Sequence, residues 1–164
     1  MEALTLEGIY FIGQTIAAVA IVISLIYVGR QVKQNTEATQ IGASQAFVQM
    51  FNTITNNIGS TASDIWLRGV RDFDGLNEHE KVRFSTSAAQ LVRVFESAYY
   101  QWRRGALDND IWSGFSRAQL DILNEPGMKQ WWSIRKRWHG DQFQTWIDGC
   151  LESEAAEPMY PFVK

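Results

Sequence analysis

The first thirty residues contain an uncharged apolar run that restricts how the chain can fold. Residues 8–29 read GIYFIGQTIAAVAIVISLIYVG and include no Asp, Glu, Lys or Arg. As an α-helix rising about 1.5 Å per residue, this run covers roughly 33 Å, against a hydrocarbon core about 30 Å thick. Tyr10 and Tyr27 lie near its two ends, where amphipathic rings favour the headgroup level. The sequence therefore predicts one membrane-spanning helix over residues 8–29.

A buried core helix and a cleaved signal peptide are the two other interpretations of this run. Core helices of soluble proteins seldom contain so long a stretch without charge. A signal peptide would have a basic segment followed by a shorter apolar stretch, and the run has neither feature. The membrane span is the interpretation that fits the length and the flanks.

The distribution of positive charge predicts the orientation of the span. All 15 Lys and Arg residues lie at Arg30 or beyond, and Arg30 and Lys33 directly follow the apolar run. Because Lys and Arg are retained on the cytoplasmic side, we expect the N-terminus outside and the C-terminal part in the cytoplasm. The net charge of −3 gives no electrostatic case for nucleic acid as a partner.

Small residues form a stripe along the predicted span. Spacings of 4, 3 and 4 place four of them on one helix face: Gly13, Ala17, Ala20 and Ser24. Small side chains let helix backbones approach closely in lipid, and Gln14 beside the stripe could add an interhelical hydrogen bond. We therefore expect the span to associate with a second copy or with another membrane protein.

The rest of the chain predicts helices only. No proline lies between Arg30 and Ile58, so residues 1–58 are expected to form the membrane helix and a cytoplasmic stalk helix. An apolar stripe on this stalk suits packing against other helices: Phe47, Phe51, Ile54 and Ile58. Residues 59–151 are expected to form a cytoplasmic helical domain and residues 152–164 an acidic tail. Since no useful strand alternation occurs, the predicted fold class is all-α.

Helix start and stop signals divide the cytoplasmic domain. Asn77 with Glu80 resembles a capping box that opens a long helix, and Gly105 is expected to end it. Asp108 is a predicted N-cap, and Pro126 suits the first turn of the helix after that. A short helix is expected around residues 63–70.

Arg93, Glu96 and Tyr100 are the predicted polar cluster. Their spacings of 3 and 4 place them on one face of the long helix, where an ion pair and a hydrogen bond can form. A surface or interface salt bridge is one interpretation, and the lining of a pocket is the other.

The remaining candidates for chemistry are weaker. Glu78, His79 and Glu80 are consecutive, so on a helix they point about 100° apart and cannot converge on one metal. Cys150 falls on an apolar helix face, which favours core packing over a nucleophilic pair with His139. Phosphate-binding loops, Cys-x-x-Cys pairs and Gly-x-Ser-x-Gly elbows do not occur. We therefore predict no catalytic residues, no cofactor-binding residues and no metal ligands.

An aromatic and basic segment follows Pro126, formed by Trp131, Trp132, Arg135, Lys136, Arg137 and Trp138. Burial of the tryptophans with solvated basic side chains is one interpretation. Contact with anionic lipid headgroups is the other, because the cytoplasmic leaflet is negative and Trp favours the interface. Membrane lipid is therefore an expected partner.

Several short motifs spread along the chain carry a family resemblance. They are Ser24-Leu25-Ile26-Tyr27, Arg30-Gln31-Val32-Lys33-Gln34-Asn35, Trp66-Leu67-Arg68-Gly69, Phe95-Glu96 with Tyr99-Tyr100, Gly105 with Leu107-Asp108, and Pro126-Gly127 with Trp131-Trp132. With these motifs the chain resembles a widespread family of uncharacterised bacterial single-pass inner-membrane proteins. The resemblance implies a location in the bacterial inner membrane, and because that family lacks an assigned activity it transfers no catalytic residues to this chain.

Three functions are expected from these observations. The first is a non-enzymatic single-pass membrane protein that assembles through its membrane and stalk helices, as a homo-oligomer or as an accessory subunit of a membrane complex. The second is a homo-oligomeric pore lined partly by Gln14. The third is a membrane-tethered enzyme or ligand sensor with a pocket between the cytoplasmic helices.

Overall fold

The computed structural model describes residues 2–61, 63–152 and 159, and these residues form helices without any strand. The elements are α1 (Glu2–Thr61), α2 (Ser63–Arg71), α3 (Glu78–Arg103), α4 (Asn109–Asn124), α5 (Pro126–Arg135), a short 3-10 helix (Lys136–Trp138) and α6 (Asp141–Glu152). The predicted all-α class is confirmed. The predicted acidic tail, residues 152–164, lies outside the described residues apart from Glu152 and Met159.

Two compact units make up the chain, Met1–Thr39 and Gln40–Lys164. The first unit is the N-terminal part of α1. The second unit contains the C-terminal part of α1 and all later helices, so it begins before the division after residue 58 that the sequence predicted. The predicted continuation of the apolar helix into a stalk is confirmed, because α1 runs without a break to Thr61.

The caps of the later helices follow the predicted signals. Asn77 Oδ1 accepts a hydrogen bond from Glu80 N (3.0 Å), and Glu80 Oε2 accepts one from Asn77 N (3.1 Å), so the capping box at the start of α3 is confirmed. Gly105 adopts φ +70° after α3, a conformation that glycine reaches without the Cβ clash of other residues. Asp108 caps α4, and Pro126 stands in the first turn of α5.

Helix α3 supplies much of the core of the second unit. Its apolar face is completely buried against α2, α4 and neighbouring helices, with Phe84, Ala88, Leu91, Val92, Phe95 and Ala98 inside. The largest fully buried side chains of the other helices are Trp131, Phe143, Leu123, Met128 and Ile147. Burial of these aromatic and aliphatic groups is the main force that holds the short helices together.

A close backbone approach joins α2 to α5. A Cβ added at Gly127 would collide with the carbonyl oxygen of Gly69, and one added at Gly69 would collide with the Phe84 ring. Helices α2 and α5 can therefore approach this closely only because Gly127 lacks a side chain, and the missing side chain at Gly69 makes room for the Phe84 ring of α3. Trp66-Leu67-Arg68-Gly69 and Pro126-Gly127, separate motifs in the sequence, meet at this contact.

Candidate functional site

The apolar segment of α1 has its side chains outside any protein core. Among the described residues, one helix is long and apolar enough to cross a membrane, and the apolar window that qualifies it contains no buried residue. Its large side chains between Leu6 and Val28 are 52% to 71% exposed. Since burial within the first unit does not cover this surface, lipid or another helix is needed to remove it from water.

The small-residue stripe on this segment is exposed along its whole length. Gly13, Ala17, Ala20 and Ser24 are all exposed, and a Cβ at Gly13 would meet no atom within 4 Å. Ser24 Oγ donates to the backbone oxygen of Ala20 (2.8 Å), so its hydroxyl is satisfied within the helix. Gln14 is also exposed.

The stalk stripe, in contrast, is used inside the second unit. Phe47, Ile54 and Ile58 are buried, and Phe51 packs against the same core. The Phe47 and Phe115 rings lie 4.1 Å apart in an edge-to-face arrangement. These residues do form a helix–helix interface, but their partners are helices of the same chain. The membrane segment, and not the stalk stripe, is therefore exposed for assembly with another chain.

Glu96 binds residues that the sequence analysis did not pair with it. Its Oε2 lies 2.7 Å from His139 Nδ1, and its Oε1 accepts a hydrogen bond from Gly140 N (2.7 Å). The His139 side chain is 1% exposed, and the Tyr100 hydroxyl lies against Gly140. This arrangement joins α3 to the start of α6, and the contact between Glu96 and His139 Nδ1 orients the imidazole.

Arg93 belongs to a different place from Glu96 and Tyr100. No ion pair or hydrogen bond joins Arg93 to Glu96 within the described part of the chain. The guanidinium instead lines a groove of about 670 Å³ on the surface of the second unit. The predicted cluster of three residues is thus divided between a buried junction and this open groove, which we call the α3–α5 groove.

The α3–α5 groove is lined by residues of α3, α5, the 3-10 helix and the turn before α3. The basic ones are Lys81, Arg93 and Arg135, and the large apolar ones are Phe73, Val82, Ile134 and Trp138. Lys81 Nζ lies 5.5 Å from the centre of the Phe73 ring, and the Arg135 guanidinium lies 4.5 Å from that of Trp138. Sequence reasoning missed the groove because its residues come from segments about fifty residues apart.

The aromatic and basic segment is only partly at the surface. Trp131 and Trp132 are buried in the core, so the headgroup contact predicted for them is corrected: these two side chains cannot reach a lipid. Arg137 and Trp138 are exposed, and Arg135 is half-buried. Headgroup contact stays a prediction for these three residues and for Lys136.

Lys136 is engaged by Asp148 of α6. Its Nζ donates to Asp148 Oδ2 (2.8 Å), and Trp132 Nε1 donates to Asp148 Oδ1 (2.9 Å). Partial burial acts to raise the pKa of Asp148, but these hydrogen bonds and the Lys136 charge outweigh it and hold the pKa below its ordinary value. The ion pair therefore fastens α6 to the end of α5.

The other chemical candidates have structural roles. Glu80 caps α3 and pairs with Arg68 (2.5 Å), and the hydrogen bond from Arg68 followed by that from Asn77 lowers its pKa. Burial raises the pKa of the Cys150 thiol, which disfavours the reactive thiolate. Within the described ranges, no group of three or more His, Cys, Asp or Glu residues is placed to hold a metal ion.

Comparison with known proteins found no match among family models, curated proteins or solved structures. The resemblance to bacterial inner-membrane proteins therefore stays a prediction, and functional inference rests on the residues of this chain.

Proposed function

We propose that the protein is a non-enzymatic, single-pass membrane protein that assembles through the small-residue face of its membrane helix and carries a cytoplasmic helical domain. The observation that supports it most directly is the exposed apolar segment of α1. A surface of this size in water would favour aggregation, whereas in a bilayer it needs no protein cover.

We further propose a bacterial inner-membrane location with the N-terminus outside. Arg30 and Lys33 follow the span, whereas Glu2 and Glu7 precede it. The positive flank favours a cytoplasmic second unit, and the family resemblance supports the bacterial membrane.

The stripe supports assembly because its four residues are exposed on α1. In lipid, helices associate through close backbone contact and not through the hydrophobic effect, so exposed Gly13 and Ala17 favour a partner helix. The partner is a second copy of this chain or a subunit of a membrane complex, because the small-residue face can pack against either kind of helix.

Two matched leucine variants test this assembly. Ala17→Leu places a bulky side chain on the stripe, whereas Ala18→Leu makes the identical change about 100° around the helix from Ala17 and outside the stripe. We expect cross-linking in native membranes and sizing in mild detergent to show an assembly that Ala17→Leu weakens and Ala18→Leu leaves intact. A monomer without any co-purifying protein in the unmodified chain would contradict the proposal.

A pore is the alternative use of an oligomeric span, with Gln14 in its lumen. Conductance in planar bilayers that changes with Gln14→Leu would favour the pore over a purely structural assembly. A membrane-tethered enzyme or ligand sensor is the third candidate, and the α3–α5 groove is the pocket that it would use.

A further inference from the structure

The α3–α5 groove gathers most of the exposed apolar surface of helices α2–α6. Four large hydrophobic side chains of the described residues beyond α1 are exposed, namely Val82, Ile111, Ile134 and Trp138. All but Ile111 line this groove, at 66%, 51% and 44% exposure. Such clustering differs from scattered surface apolar residues, which need no explanation, and is typical of a binding surface.

Positive charge lies beside these apolar groups without acidic partners. Lys81, Arg93 and Arg135 line the groove, and none of them forms an ion pair within the described residues. The one acidic residue at its edge is Asp74.

The basic and apolar groups of the groove together favour a ligand with an anionic head and an aliphatic body. A phosphate or similar anion pairs with the Arg and Lys groups, and acyl carbon atoms cover Val82, Ile134 and the Trp138 ring. We propose that the α3–α5 groove binds an anionic phospholipid of the bilayer that holds α1.

The bilayer is favoured over an acidic protein segment because of the tether. This inference rests on the proposed function: a domain attached to a membrane span meets lipid at high effective concentration, and the cytoplasmic leaflet is rich in anionic headgroups. The Trp138 indole beside Arg135 is also an arrangement that the membrane interface favours. An acidic peptide shares the charge but lacks this permanent proximity.

The test uses the full chain in lipid nanodiscs and the fluorescence of Trp138. All seven tryptophans lie at Trp66 or later, so emission reports on the second unit alone, and the difference between the native chain and Trp138→Phe isolates the groove. Discs contain phosphatidylcholine alone, or phosphatidylcholine with increasing fractions of phosphatidylglycerol that carries brominated, fluorescence-quenching acyl chains. Discs of brominated phosphatidylcholine control for contact that does not depend on charge.

We expect quenching of the Trp138 component with brominated phosphatidylglycerol and not with brominated phosphatidylcholine. Lys81→Gln and Arg93→Gln should each weaken the apparent affinity about fivefold, since each removes one cation from the headgroup. Arg117→Gln is the matched control, because Arg117 is an exposed arginine on α4 outside the groove. Circular dichroism confirms that each variant stays folded.

The outcomes separate this proposal from the proposed function. A chain that fails to co-elute with nanodiscs overturns both. A chain that co-elutes but shows no Trp138 quenching, or equal quenching with both lipids, overturns only the groove assignment. If Arg117→Gln weakens the apparent affinity as much as Lys81→Gln and Arg93→Gln, the binding depends on general surface charge and the groove assignment is also overturned. If an acidic, leucine-containing peptide changes Trp138 emission where phosphatidylglycerol does not, the ligand class is protein and the lipid assignment is wrong.

Discussion

Gln119 carries a polar amide into the apolar interior of the second unit. The residue is fully buried on α4, and neither its Nε2 nor its Oε1 has a hydrogen-bond partner among the described residues. Polar atoms buried without partners reduce stability by about 1–3 kcal/mol, because they lose water and gain nothing in return.

Replacement of Gln119 by methionine should therefore stabilise the protein. Methionine has nearly the same length and no amide, so Gln119→Met should raise the free energy of unfolding by about 1 kcal/mol. Denaturant titration in detergent, monitored by tryptophan emission, measures this free energy of unfolding. Gln49→Met, at an exposed position of α1, is the control and should stay within about 0.5 kcal/mol. Destabilisation by Gln119→Met would mean that the amide is bound to water or a ligand.

The Asp148 carboxylate should make stability fall in acid. Its pKa is lowered in the folded state by Lys136 and Trp132 despite the opposing effect of burial. The stabilisation is therefore complete above the unfolded-state pKa and is lost as the pH falls through the lower folded-state value, below about pH 4. Asp148→Asn should reduce stability at neutral pH and flatten this acid dependence, as thermal melts across pH would show. Asp74→Asn, at an exposed turn, is the control and should change stability at neutral pH by less than about 0.5 kcal/mol.

Single residues show where sequence reasoning ends. The spacing of Arg93, Glu96 and Tyr100 correctly indicates a shared helix, but Glu96 is bound by His139, 43 positions later. No periodicity encodes a contact between distant segments, since local spacing describes only neighbours along one helix. The sequence left two interpretations open for Trp131 and Trp132, burial and headgroup contact, for a similar reason: adjacent residues point about 100° apart, and only packing on two sides of α5 covers both.

At the level of elements, local signals were sufficient. The capping box at Asn77, the glycine with positive φ at Gly105 and the proline at the start of α5 all act through the backbone of their own segment. The starts and ends of these helices can therefore be predicted from particular residues in the local sequence. Helix pairing is not, because it depends on shape: Gly69 and Gly127 are ordinary glycines in the sequence and become a backbone contact only in the fold.

The α2–α5 contact should tolerate no added methyl group. Gly127→Ala brings a Cβ onto the Gly69 carbonyl oxygen, and neither backbone can move as a flexible side chain would. We expect a loss of about 2–3 kcal/mol or failure to fold, from overpacking at a rigid contact. Gly114→Ala is the matched control, since a Cβ on this helical glycine of α4 meets no atom within 4 Å. It should stabilise α4 by up to about 1 kcal/mol. Similar melting temperatures for both variants would contradict the close approach.

At the scale of the whole molecule, the two ends of α1 differ in what surrounds their apolar side chains. Its N-terminal apolar segment has every large side chain exposed, whereas Phe47, Ile54 and Ile58 on the same helix are buried by the second unit. The sequence predicted a small-residue stripe on the span and an apolar stripe on the stalk, but periodicity cannot say whether a stripe meets its own chain or another molecule.

The orientation of the whole molecule can be tested with single cysteines. In a Cys150→Ser background, Glu7→Cys marks the side before the span and Asn35→Cys the side after it. The proposed orientation follows from the tendency of Lys and Arg flanks to stay in the cytoplasm, and it predicts that a membrane-impermeant maleimide labels Glu7→Cys in intact cells and Asn35→Cys only after permeabilisation. Adding Arg30→Glu and Lys33→Glu removes the charge bias and should produce mixed labelling. Equal labelling of both sites in intact cells, or recovery of the full chain in the aqueous fraction without detergent, would contradict the span itself.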